Sequence, residues 1–81
     1  MKNEVIEKME RVQNVQKDCK KRIELVSKNI AQVAEQIANG NLSALDDLES
    51  EYKWLQNEIN ELNRYKAMEA VYKDLLKSEK D

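Results

Sequence analysis

Along the first half of the chain, apolar residues recur at Val5, Met9, Val12, Cys19, Ile23, Val26, Ile30, Val33 and Ile37, with Gln16 filling the one gap. The steps alternate between three and four residues, which is the spacing of a heptad seam along one face of a helix. With Met9, Gln16, Ile23, Ile30 and Ile37 at a positions, Val5, Val12, Cys19, Val26 and Val33 occupy d. The opposite f face, Glu7, Asn14, Lys21, Lys28 and Glu35, is entirely polar, as a solvated face should be. The pattern predicts a helix over about residues 3–38, with Asn3 as its N-cap.

The seam stops at Asn39-Gly40-Asn41, where glycine can take the left-handed conformation that closes a helix. Ser43, with Asp46 three residues on, resembles a capping box, and Asp46, Asp47 and Glu49 suit the positive end of a new helix. A turn is therefore predicted over 39–42 and a second helix over about 43–78. One continuous helix through Gly40 is the competing arrangement, since a single glycine costs a helix only about 1 kcal/mol. The second seam runs Leu45, Leu48, Tyr52, Leu55, Ile59 and Leu62. It then loses phase, because strict continuation reaches Lys66 and Glu69 while the apolar residues fall at Tyr65, Met68, Val71, Tyr72, Leu75 and Leu76.

Folding the chain back at Gly40 pairs residues whose numbers sum to about 81 or 82. Ile37 then meets Leu45, Val33 meets Leu48, Ile30 meets Tyr52, Val26 meets Leu55, Ile23 meets Ile59 and Cys19 meets Leu62. Gln16 falls beside Tyr65, a polar layer of the kind that fixes register at some cost in stability. The predicted fold class is all-α: an antiparallel two-helix coiled-coil hairpin, one domain over 1–81, assembling into a four-helix bundle.

Composition supports long helices, with no proline, one glycine and 37% charged residues in 81. A core this small seldom supplies more than about 3–5 kcal/mol, so an additional partner is expected. Residues 1–38 carry eight Lys/Arg and six Asp/Glu, and residues 39–81 carry six and ten, so a basic half folds against an acidic one. No apolar run reaches the roughly 18 residues needed to span a bilayer, and the first residues, MKNEVIEKME, lack a signal-peptide core. With one cysteine and no internal disulfide possible, a cytoplasmic location is expected. The lysine- and asparagine-rich composition suggests a bacterial or phage source.

The absence of histidine excludes imidazole bases and His-based zinc sites. Cys19 lies at a d position, where burial makes a thiol inert. Asp46, Asp47 and Glu49 are accounted for by capping, and a lone Gly40 forms no phosphate-binding loop. The chain is expected not to be an enzyme and to use no cofactor, metal, small-molecule substrate or membrane.

Binding surfaces are the remaining chemistry. Trp54 and Leu25 fall at c positions, outside the seam, and in an antiparallel pair the g/c flanks share one side; Val15, Tyr65 and Met68 join it. The e/b flank, with Gln13, Lys20, Ser27, Gln56, Asn60 and Asn63, reads as polar. At the open end Val5, Ile6 and Met9 face Tyr65, Met68, Tyr72 and Leu76, more apolar surface than one seam can cover. The expected interface is thus Val5, Ile6, Met9, Val15, Leu25, Trp54, Tyr65, Met68, Tyr72 and Leu76, and the expected partners are a second copy and a larger protein that the hairpin regulates, scaffolds or inhibits. Nucleic acid is the alternative partner, through Lys17, Lys20, Lys21 and Lys28.

In architecture the chain is similar to the Rop-type RNA-binding hairpins, which dimerise into four-helix bundles; that resemblance implies RNA as a ligand. The Tyr65-x-x-x-Glu69 spacing resembles the export signal of the WXG-type proteins of type VII secretion, also helical hairpins, although their Trp-x-Gly turn is replaced here by Asn39-Gly40-Asn41. That resemblance implies an exported partner protein as a third reading.

Overall fold

The computed structural model describes residues 2–78. Two helices, α1 (Lys2–Ala38) and α2 (Leu45–Ser78), are joined by a tight connection that contains one 3₁₀ turn (Leu42–Ala44). They fold back on each other into a rod of 63 × 14 × 13 Å, with a radius of gyration of 18.3 Å, where a compact domain of this length would have about 12 Å. The hairpin, not the continuous helix, is the observed arrangement.

The reversal is built from backbone hydrogen bonds. The Gly40 N–H donates to the Ile37 carbonyl and the Asn41 N–H to the Gln36 carbonyl, each at 3.0 Å, the paired bonds of a Schellman closure. Gly40 occupies the left-handed position with φ 102°. Asn41 follows at φ −82°, ψ 82°, and the Leu42 N–H donates back to the Gly40 carbonyl, an inverse γ-turn.

Two expected caps are not formed. Helix α1 already includes Lys2, so Asn3 lies within its first turn and is not its N-cap. Ser43 lies inside the 3₁₀ turn and not at the start of α2, and its hydroxyl donates to the Asn41 side-chain oxygen at 2.6 Å. The 3₁₀ turn takes up the residues that a capping box would have used, and α2 begins at Leu45 with Asp46 and Asp47 in its first turn.

On α1 the seam is the expected one. Val12, Gln16, Cys19 and Val26 are buried, and Val5, Met9, Ile23, Ile30, Val33 and Ile37 are half-buried. On α2 the seam differs. The buried and half-buried residues that recur at alternating steps of four and three are Ala44, Leu48, Glu51, Leu55, Glu58, Leu62, Tyr65, Glu69, Tyr72 and Leu76. This seam runs the length of α2 with no break in phase. Leu45 and Tyr52, expected in the core, are instead exposed, and Ile59 is half-buried beside the seam.

The polar contacts explain this choice of face. Arg22 Nε donates to Glu58 Oε1 at 3.0 Å, and Gln13 and Gln16 donate to the two carboxylate oxygens of Glu69 at 2.8 and 2.9 Å. These bonds hold both glutamates toward α1 and cross the hairpin within about a turn of the expected register. They also correct the expected polar layer: the partner of Gln16 is Glu69, one turn beyond Tyr65.

Candidate protein interface

With α2 in this phase, its heptad has Leu48, Leu55, Leu62, Glu69 and Leu76 at a and Ala44, Glu51, Glu58, Tyr65 and Tyr72 at d. Leu45, Tyr52 and Ile59 then fall at e, and Trp54, Met68 and Leu75 at g. In an antiparallel pair e lies beside e and g beside g, so these flanks open on opposite sides of the rod.

The g side carries four of the ten expected interface residues. Leu25 is 58% exposed, Trp54 45% and Met68 37%, with half-buried Val15 on the same flank. Val71 and Leu75 extend this surface toward the open end. Arg64 lies 5.3 Å from the centre of the Tyr65 ring and is paired with Glu61 at 2.7 Å, giving the flank a charged margin. At the open end Val5, Ile6, Met9, Tyr72 and Leu76 are half-buried. Five of these candidates, Val5, Met9, Tyr65, Tyr72 and Leu76, belong to the seam itself, so their surface is shared between the hairpin and whatever covers it.

The e side is not the polar flank expected from the sequence. Leu42, Leu45 and Tyr52 are exposed there or next to the turn, and Leu48, Glu49, Tyr52 and Lys53 line an open groove of about 460 Å³. The miss follows from the phase of α2. Rotating Glu51 and Glu58 into the seam turns Tyr52 and Leu45 out of it. The available signal was the continuity of spacing from Tyr65, Glu69, Tyr72 and Leu76 back through Glu58 and Glu51.

Cys19 is completely buried; burial pushes its thiol up, and the nearby Arg22 Nη2, 3.3 Å from Sγ, opposes that shift only in part. A raised thiol holds little thiolate and is a poor nucleophile. Glu69 is held below the usual carboxylate range by the Gln13 and Gln16 amides and, less strongly, by Lys73 at 3.6 Å. The Tyr65/Glu69 pair thus sits in the seam, with its carboxylate committed to α1. Glu51 and Glu58 each keep one buried carboxylate oxygen with no hydrogen-bond partner. Lys17, Lys20, Lys21 and Lys28 are all exposed, and among the described residues none has a carboxylate in ion-pair range.

Among the described residues no helix is long and apolar enough to cross a membrane, and no group of three or more Cys, Asp or Glu could hold a metal ion. Comparison with protein-family models, with curated protein sequences and with solved structures finds no match to this chain.

Proposed function

We propose that the chain is a non-enzymatic interaction module: a helical hairpin that self-associates into a four-helix bundle and docks on a larger protein, which it regulates, scaffolds or inhibits. The observation that supports this most is the large apolar surface left in water. Leu25, Leu45, Tyr52, Trp54, Met68, Val71 and Leu75 are all exposed, while among the described residues only Val12, Cys19, Val26 and Ala44 are buried apolar ones. Leu45 and Tyr52 lie on the e side and the others on the g side; exposed apolar patches on a small rod usually mark binding sites, and aromatic residues with methionine are the types enriched in interface cores.

Sedimentation equilibrium at micromolar concentration tests the self-association half of this reading. A dimer is expected; a monomer up to about 100 μM would leave the apolar faces to foreign partners alone. Uncommitted Lys17, Lys20, Lys21 and Lys28 favour RNA as a second reading. Affinity for structured RNA that falls steeply between 50 and 200 mM salt, and that is lost on changing these lysines to glutamine, would replace the protein-docking proposal.

A further inference from the structure

The e side of the rod changes character along its length. On α2 the e positions read Leu45, Tyr52, Ile59, Lys66 and Lys73. The e and b positions of α1 beside them carry Gln13, Lys17, Lys20 and Glu24 farther from the turn but Ser27, Ala31, Ala34 and Ala38 next to it. This face is therefore apolar only from the turn to about Ile59. Within that half, large side chains on α2 stand beside small ones on α1, a relief that a second surface of the same kind can interlock with. Tyr52 is 55% exposed and borders the groove, and its hydroxyl accepts a 3.2 Å hydrogen bond from the Gln56 amide, which ties the ring to its own helix.

The stripe is symmetric about its own centre. Counted outward from Tyr52, Leu45 and Ile59 are each seven residues away, and Leu48 and Leu55 are four and three. A second copy laid antiparallel across a two-fold axis at Tyr52 sets Leu45 against Ile59 of the second copy, Leu48 against its Leu55 and Tyr52 against its Tyr52. The same placement brings Lys53 within reach of Glu49 of the second copy, so opposite charges meet at the rim. Sliding the copies to full overlap would instead set Lys73 against Tyr52 and Lys66 against Ile59.

The chain exposes 6214 Å², about 1,200 Å² more than a compact monomer of this size, as its rod shape requires.

We infer that two copies of this chain join through the turn-proximal face of α2, antiparallel and staggered about Tyr52, leaving the open ends and the Trp54 side free for the larger partner. The inference rests on the self-association proposed above and assigns it to one face. Tyr52 lies about 17 Å from the tip of the turn at 1.5 Å per residue, so two 63 Å hairpins overlap over about 33 Å and span about 90 Å.

The test combines sedimentation with small-angle X-ray scattering on the wild type, Tyr52→Glu and Trp54→Ala. The expected result is a wild-type dimer with a maximum dimension near 90 Å, at least tenfold weaker dimerisation for Tyr52→Glu with helicity retained, and an unchanged dimer for Trp54→Ala. A wild-type dimer no longer than a single hairpin, or a Tyr52→Glu dimer as tight as wild type, overturns this assignment while self-association stands. Loss of the dimer in Trp54→Ala but not in Tyr52→Glu moves the interface to the g side. A wild-type monomer at 100 μM overturns the assignment and the self-association together. Should Tyr52→Glu lose helicity, Tyr52→Ala, which adds no charge to an exposed position, decides between the same outcomes.

Discussion

Gln16 and Glu69 set the behaviour of the polar layer at the scale of single residues. Gln16 is buried and donates to Glu69, which also accepts from Gln13. A lone polar residue in an apolar layer invites replacement by leucine, but here the change removes one donor from a carboxylate held against α1. The cost of a charged group losing its hydrogen bond exceeds the gain of one apolar contact. Gln16→Leu alone is therefore expected to lower the unfolding temperature, by several degrees for a loss of about 1 kcal/mol, whereas Gln16→Leu with Glu69→Leu is expected to raise it. Calorimetry on the single and double variants checks the order; a single variant more stable than wild type would show that the carboxylate finds water instead. Glu69 also gives the hairpin a pH dependence with a definite sign. Its carboxyl is held down by Gln13, Gln16 and Lys73 in the folded state, so its contribution is present above the ordinary carboxylate range and is lost as pH falls through the lower folded value. Melting of wild type and Glu69→Gln against pH should show the wild-type advantage shrinking on acidification; a constant gap would assign the acid sensitivity to other groups.

At the scale of the elements, the turn and α1 were legible in the sequence and the phase of α2 was not. The α1 seam is unambiguous because every position but Gln16 is apolar and the opposite face is polar. Gly40 marked the reversal because only glycine takes a φ of 102° without strain, and a Cβ there would meet nothing within 4 Å. Gly40→Ala is accordingly expected to cost about 1–2 kcal/mol through backbone conformation alone, with Gly40→Asn milder, as urea melts at fixed protein concentration would report. Helix α2 carries two seams that share Leu48, Leu55 and Leu62. One adds Leu45, Tyr52 and Ile59; the other adds Ala44, Glu51 and Glu58 and continues into Tyr65, Glu69, Tyr72 and Leu76. Hydrophobicity alone favours the first, and the cross-hairpin bonds of Glu58 and Glu69 accompany the second. The g-side candidates Leu25, Trp54 and Met68 were legible because they lie outside the seam in either phase, while the e face was hidden by assigning Tyr52 to the core. The chosen phase leaves Glu51 Oε2 buried without a partner. Glu51→Leu should therefore stabilise the hairpin by about 1 kcal/mol or more, measured by the same urea melts in a Tyr52→Glu background. A destabilised variant would show that Glu51 contributes a contact the hairpin needs.

At the scale of the whole molecule, the rod makes stability a function of position. Its most buried stretch on α1, Val12 through Val26, lies in the middle, and both ends have exposed apolar residues and few layers to hold them. An isolated hairpin should therefore exchange its amide hydrogens slowest near the middle and faster toward the open end and the turn, because the ends open locally without the rest. A second copy staggered about Tyr52 would cover the turn half alone. Binding disfavours every opening that dissociation must precede, and the effect grows with the concentration of the partner, which here is the protein itself. Raising the protein concentration should thus slow exchange between about residues 19 and 63, while exchange by local fraying at 2–10 and 70–78 stays the same. Tyr52→Glu should abolish the concentration dependence and restore the mid-rod maximum. If protection instead rises equally at both ends, the two copies overlap along their full length, and Lys66 and Lys73 must then be accommodated against Ile59 and Tyr52 of the second copy.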